Sequence, residues 1–305
     1  MNASALLDRR SIAREFLPRV RFDEPLARHT SWHVGGPADA WYEPADADEL
    51  AAFLRHLPAS VPVHFVGLGS NVLVRDGGLR GVTISLHGGL DRLERLDDTR
   101  VHADAGVPCA RVARQCVKWG LGPAEFFAGI PGTVGGALAM NAGAWGGETW
   151  PHVVAVDVVD RGGTRRTRAA AEYRYGYRHV ESPAPQEWFV GARFEFEPRP
   201  DATLDGIKVL LERRRETQPI GEWSCGSTFT NPPGDHAARL IEAAGLKGFA
   251  IGGARVSTKH ANFLINEGEA TAEDLERLIA HVRDVVERAH GVRLSTEVRI
   301  VGEQA

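Results

Sequence analysis

Val66-Gly67-Leu68-Gly69-Ser70-Asn71-Val72-Leu73-Val74 opens as a dinucleotide fingerprint does, with two glycines directly after an apolar run. The third glycine of that fingerprint is missing, and the apolar run that follows reads as a strand rather than a helix. A Rossmann site is not expected. Two readings stay open for the turn. It is an ordinary hairpin turn, or its bare N–H groups, with the Ser70 hydroxyl and the Asn71 amide, face an anion.

Working outward, Asp46 and Glu49 form a capping-box-like pair ahead of Leu50, Phe53, Leu54 and Leu57 at helical spacing, and Pro58 ends that helix. Val63 to Val66, Val72 to Val74 and Val82 to Leu86 then give a rhythm of strand, turn, strand, turn, strand. A helix from about Pro108 to Trp119 carries Cys109, Val112, Cys116 and Trp119 on one stripe, with Gly120 as its stop. Strands are expected at Val153 to Val159 and at Trp188 to Glu197. The second alternates Val190, Ala192, Phe194 and Phe196 with Arg193, Glu195 and Glu197, so one of its faces is wet. Pro198 to Pro200 reads as a linker before a helix at Ile207 to Arg215. Beyond it come a helix within Asp235 to Ala244, a strand at Phe263 to Ile265, a long helix from Thr271 to His290 and a strand from Val292 to Val301.

Gly129-Ile130-Pro131-Gly132-Thr133-Val134-Gly135-Gly136-Ala137-Leu138-Ala139-Met140-Asn141-Ala142-Gly143 has almost no side-chain bulk. Something must lie close to such a backbone: a flat ring, a pyrophosphate, or simply a tightly packed helix start at Thr133. Two bare loops in one part of the chain favour a dinucleotide ligand.

Bulk properties set the frame. A chain of 305 residues suits two or three domains, and its 43% hydrophobic and 25% charged residues are ordinary for a globular protein. The formal charge of -4, with scattered arginines, argues against a nucleic-acid face. Met1 to Arg21 lacks the apolar run of a signal peptide, and no stretch is apolar for the ~18 residues of a membrane span. A cytoplasmic protein with no obligate protein partner is expected. Its three cysteines form no C-x-x-C, so neither a disulfide framework nor a metal site is expected.

Gly67 to Asn71 and Gly129 to Gly136, preceded by Thr30-Ser31-Trp32-His33-Val34-Gly35-Gly36, together resemble the FAD domain of the UDP-N-acetylenolpyruvoylglucosamine reductase family, within the vanillyl-alcohol-oxidase-like flavoproteins. Glu172-Tyr173-Arg174-Tyr175-Gly176-Tyr177-Arg178, Cys225-Gly226-Ser227-Thr228-Phe229-Thr230-Asn231-Pro232, Ala254 to Phe263 and Leu294 to Ile300 resemble further motifs of that family. The resemblance implies an α+β protein with a two-part FAD-binding domain of the vanillyl-alcohol-oxidase/PCMH type, at 1–86 and 87–200, and an α+β substrate-binding domain at 201–305. It implies non-covalent FAD held at Gly67, Gly69, Ser70, Asn71, Gly129, Ile130, Pro131, Gly132, Thr133, Gly135 and Gly136. It also implies NADPH as co-substrate and UDP-N-acetylglucosamine enolpyruvate as substrate.

In this reading Arg178 holds the substrate carboxylate, Ser227 protonates the adjacent carbon, and Glu297 completes the trio. Tyr177, Asn231, Lys259, His260 and Asn262 are the implied substrate contacts. Without the resemblance these residues read as an edge strand with solvated arginines, a turn stopped by Pro232, a surface ion pair and a solvated loop. The strand from Trp188 fills the space after Arg178 and leaves no room for a tyrosine-bearing insertion, which makes this the family's shorter subtype.

Overall fold

Asp46 opens the first α-helix, Ala47–His56, with its carboxylate accepting from the N–H groups of Asp48 and Glu49 at 2.9 and 2.8 Å. Glu49 does not return the bond to Asp46. Its carboxylate instead accepts from the Tyr42 hydroxyl and the Ala45 N–H, both at 2.9 Å, so half of the expected capping box is replaced by a tie to the neighbouring strand. The computed structural model describes residues 7–305, and the first six residues of the Met1 to Arg21 segment lie outside it. Among the described residues no helix is long and apolar enough to cross a membrane.

The chain forms two compact units that interleave in sequence. Among the described residues the first comprises 7–22, 40–68 and 81–212; the second comprises 23–39, 69–80 and 213–305. In the first unit, Val63–Val66 runs parallel to Val82–Ser85, and the Ala47–His56 helix buries Leu50, Phe53 and Leu54 in a core with Tyr42, Val82 and Ile84. A five-stranded antiparallel sheet of this unit has the order Arg165–Ala169, Val153–Asp160, Glu187–Glu195, Arg100–Asp104, Leu93–Arg95. Val190, Ala192, Phe194 and Phe196 are buried as the alternation predicts, and the Cys109–Lys118 helix packs Val112, Ala113 and Cys116 into the core of Val101, Ala103 and Phe194.

The second unit has a three-stranded sheet, Ala250–Ile251, Ala254–Val256 and Leu264–Asn266, beside the helices Ala237–Ala243 and Ala272–His290. Val72–Val74 pairs in parallel with Arg299–Val301. Its core includes Trp32, Val34 and Leu73 from early in the chain, and the Trp32 indole donates to the Leu264 carbonyl at 2.8 Å.

Three expectations need correction. Pro198 to Pro200 is no linker: Glu197–Pro198 pairs with Leu121–Gly122, the Arg199 N–H donates to the Gly120 carbonyl, and Ile207 of the following Leu204–Thr217 helix lies in the first unit's core. The chain leaves that unit inside the helix, after Glu212. Cuts at 86 and 200 therefore do not coincide with the compact units. Third, the closing strand is only Arg299–Val301. Leu294 and Val298 are buried as alternation requires, but a strand also needs a continuous ladder, and the backbone before Arg299 bonds instead to the 228–230 loop.

The Ala272–His290 helix takes a second cap from a distant segment: the Asp76 carboxylate accepts from the N–H groups of Ala272 and Glu273 at 3.0 and 2.9 Å. Both bonds satisfy N–H groups that have no partner inside the helix. Asp76→Ala should lower stability by ~1 to 2 kcal/mol, the usual loss with an N-terminal cap. Urea unfolding checks this, and an unchanged midpoint would refute it.

Candidate functional site

In the first unit the two bare loops meet. A Cβ on Gly67 would stand 2.7 Å from the Thr133 hydroxyl oxygen, too close for any side chain. The second loop is fixed along its length by the segment before the Cys109–Lys118 helix: the Cys109 N–H donates to the Gly132 carbonyl, Val134 N–H to Val107, and Gly135 N–H to Ala105, at 2.8 to 2.9 Å. Its bareness has several causes. Gly129 is packed by Ala144 and Trp145, Gly135 by Ala105, and Ile130 is a core residue, so the protein itself occupies those three positions. Gly136 differs. It is exposed, and a Cβ there would find nothing nearer than the Thr133 hydroxyl oxygen at 3.9 Å. Pro131, Gly132 and Gly136 thus form the accessible part of the loop, while Thr133 is buried.

Arg178 stands in the turn of the hairpin Arg174–Gly176 and His179–Glu181, with a left-handed φ of 55°. Its guanidinium donates to the carbonyls of Asn141 and Gly143 at 3.3 and 3.0 Å, which places it at the end of the second glycine-rich stretch. The exposed Tyr177 ring lies 5.1 Å from its Cζ.

In the second unit, the backbone next to Ser227 meets the backbone of Glu297. The Glu297 N–H donates to the Thr228 carbonyl at 2.8 Å, and Phe229 and Thr296 form an antiparallel bridge. The Asn71 amide donates to the Glu297 carbonyl at 3.2 Å, and the Arg299 N–H donates to the Asn71 carbonyl. Asn71, expected at the cofactor, uses one of its two amide hydrogens on Glu297. Gly69 adopts φ of 60°, and a Cβ there would stand 2.0 Å from the His29 carbonyl oxygen. Ser70 is half-buried.

Asn262, among the implied substrate contacts, is tied to the backbone of another segment. It is buried, and its amide brackets one residue: Oδ1 accepts from the Phe229 N–H at 2.9 Å while Nδ2 donates to the Phe229 carbonyl at 2.8 Å. Its own carbonyl accepts from Thr228. Asn262 holds the Ser227 loop with both amide atoms. Asn231, though exposed, accepts from the Ala237 N–H at the start of the Ala237–Ala243 helix. Lys259 is exposed and donates to the Arg215 carbonyl. His260 packs edge-on against Phe263, and burial holds its pKa below the ordinary histidine value, so at neutral pH it offers no charge to a diphosphate.

Residues 38–168 match the FAD binding domain family, and residues 218–301 match the family described as UDP-N-acetylenolpyruvoylglucosamine reductase, C-terminal domain. The chain is 59% identical over 285 residues to the UDP-N-acetylenolpyruvoylglucosamine reductase of Alkalilimnicola ehrlichii, covering 93% of this chain and 95% of that protein. It is 57% identical over 281 residues to that of Methylococcus capsulatus, covering 92% of each. The chain belongs to the UDP-N-acetylenolpyruvoylglucosamine reductase family. The solved structure of the Thermus caldophilus reductase agrees, with a TM-score of 0.78 at 31% identity over 92% of this chain and 97% of that one.

Sequence reasoning quoted Asn141 inside the glycine-rich motif of this family but gave it no role. Its signal was present: an asparagine just after a small helix is a common left-handed cap, and Asn141 has φ of 50°. Cys225, one residue before Gly226, is also part of the framework. Its thiol lies 3.6 Å from the carbonyl oxygens of Gly69 and Val72, and burial pushes its pKa up to about 12. Burial does the same to Cys116 and pushes Cys109 up as well. Since only the thiolate is reactive, the native protein should resist iodoacetamide at pH 8 and expose all three thiols on unfolding in urea. Rapid labelling of the native protein would contradict this.

Proposed function

We propose that this chain is an FAD-containing oxidoreductase that reduces UDP-N-acetylglucosamine enolpyruvate to UDP-N-acetylmuramate with NADPH, a cytoplasmic step of peptidoglycan synthesis. The observation that supports this reading is the bond from the Glu297 N–H to the carbonyl of Thr228, the residue after Ser227, within the part of the chain that matches the reductase's C-terminal domain. The second glycine loop suits FAD: Gly136 is open where a cofactor needs access to the backbone. Pro131, Gly132, Gly136 and the Gly69 to Asn71 turn would hold it. When bound, FAD supplies hydride transfer from NADPH to the vinyl carbon of the substrate.

The chain's residues then manage charge and protons. Hydride addition leaves negative charge on the neighbouring carbon and its carboxylate. A fixed cation and a hydrogen-bond donor at that carboxylate lower the barrier, by ~3 kcal/mol for each well-aimed donor. Arg178 is the cation, already oriented by two carbonyls, and the Glu297 carboxyl is the donor. Ser227 delivers the proton to the carbon. Its neighbours Thr228 and Phe229 are locked by Asn262, so the hydroxyl approaches from a fixed backbone.

Two substitutions test the reading. Gly136→Val meets no protein atom that would resist it, so its apoprotein should melt as the wild-type apoprotein does while the variant loses flavin, visible as loss of the yellow absorbance after gel filtration. A full complement of FAD in that variant would remove Gly136 from the cofactor site. Ser227→Ala should bind FAD and accept electrons from NADPH as wild type does, yet lose at least ~10² in turnover, as expected for a missing acid. Near-normal formation of UDP-N-acetylmuramate by Ser227→Ala would reassign the proton to another group.

A further inference from the structure

We infer that Asn141 is the positioning residue for Arg178, fixing it from both ends. The inference rests on the reading of Arg178 as the group that meets the substrate carboxylate. Asn141 is completely buried and caps the Val134–Met140 helix in a left-handed conformation, φ 50° and ψ 53°. Every polar atom of its side chain is engaged. Oδ1 accepts from the Trp150 N–H at 2.9 Å, and Nδ2 donates to a Glu148 carboxylate oxygen at 2.9 Å and to the Gly176 carbonyl at 3.0 Å. Its backbone carbonyl accepts from the Arg178 guanidinium at 3.3 Å.

Two of those four bonds lead to the same residue by different routes. Gly176 is the last ladder residue before the Tyr177-Arg178 turn, paired with His179, so a bond to its carbonyl fixes where the backbone of Arg178 sits. The carbonyl bond fixes where the guanidinium at the other end of the side chain sits. Arg178 needs both anchors. Its backbone lies in the left-handed region, which is unfavourable for a non-glycine residue and persists only where surroundings impose it. Its side chain carries several rotatable bonds whose freedom opposes any single pose.

The test uses the holoenzyme and two half-reactions followed by flavin absorbance: reduction by NADPH, then reoxidation by UDP-N-acetylglucosamine enolpyruvate. Asn141→Gly keeps the left-handed backbone free of strain while deleting the side chain. It should slow reoxidation by tenfold or more, the scale of a misplaced charged group, and leave reduction within about twofold. Placed on Arg178→Ala, it should add nothing further, because the residue it positions is gone. If Asn141→Gly loses FAD or unfolds, Asn141→Asp carries the same cycle, keeping the size and the acceptor for Trp150 and losing the donor to Gly176. An equal loss with and without Arg178, or no loss in the single variant, overturns the inference. Unaltered reoxidation by Arg178→Ala alone overturns instead the role of Arg178 on which it rests.

Discussion

Backbone meets backbone in this protein with no side chain between. In the second unit the carbonyl oxygen of His29 lies where the Cβ of residue 69 would be, 2.0 Å away, and that of Asp76 lies 2.1 Å from the equivalent point on residue 36. Only glycine permits either approach. The contacts bring three stretches that are far apart in sequence into register: the Trp32 segment, the turn leading into Val72–Val74, and the Arg299–Val301 strand paired with it. From that junction Asn71 reaches the Glu297 carbonyl, and Cys225 reaches the carbonyls of Gly69 and Val72. Enlarging one glycine would therefore disturb the placement of both Glu297 and the loop that carries Ser227.

Asparagines do the corresponding work for the functional side chains. Asn262 brackets Phe229 with its amide, Asn71 ties the first glycine turn to Glu297, and Asn141 links Trp150, Glu148 and Gly176. An amide has both donor and acceptor on one short, uncharged arm, so it can be buried fully satisfied where a charged group would carry a large desolvation cost. The residues assigned to chemistry are in this way held by neighbours that make no demand for charge of their own. The open positions, Gly136 and Pro131, are left free of such ties.

Much of this was legible in the sequence. The capped Ala47–His56 helix, the Cys109–Lys118 stripe, the alternating 190–196 strand and the long helix starting at Thr271 lie where periodicity and caps put them. Residue identities at Arg178, Ser227 and Glu297 were drawn from motifs and not from spacing. Misreadings share one cause. Pro198 to Pro200 and the 292–298 segment were judged by local composition, and each owes its state to partners far away: Gly120 to Gly122 and the 228–230 loop.

The sequence by itself determined which segments are helix and strand, where the apolar faces lie and which backbone stretches must be bare, because those follow from local periodicity and from the absence of side chains. Tertiary structure decided which bare positions are filled by the protein and which stay open. Gly129 and Gly136 look alike in sequence, yet Ala144 and Trp145 pack against the first and nothing packs against the second. It also decided that the chain returns twice to build the second unit, and that Asn141 and Asn262 face backbone groups many residues away. Those outcomes depend on long-range hydrogen bonds and close approaches, for which neighbouring residues carry no signal.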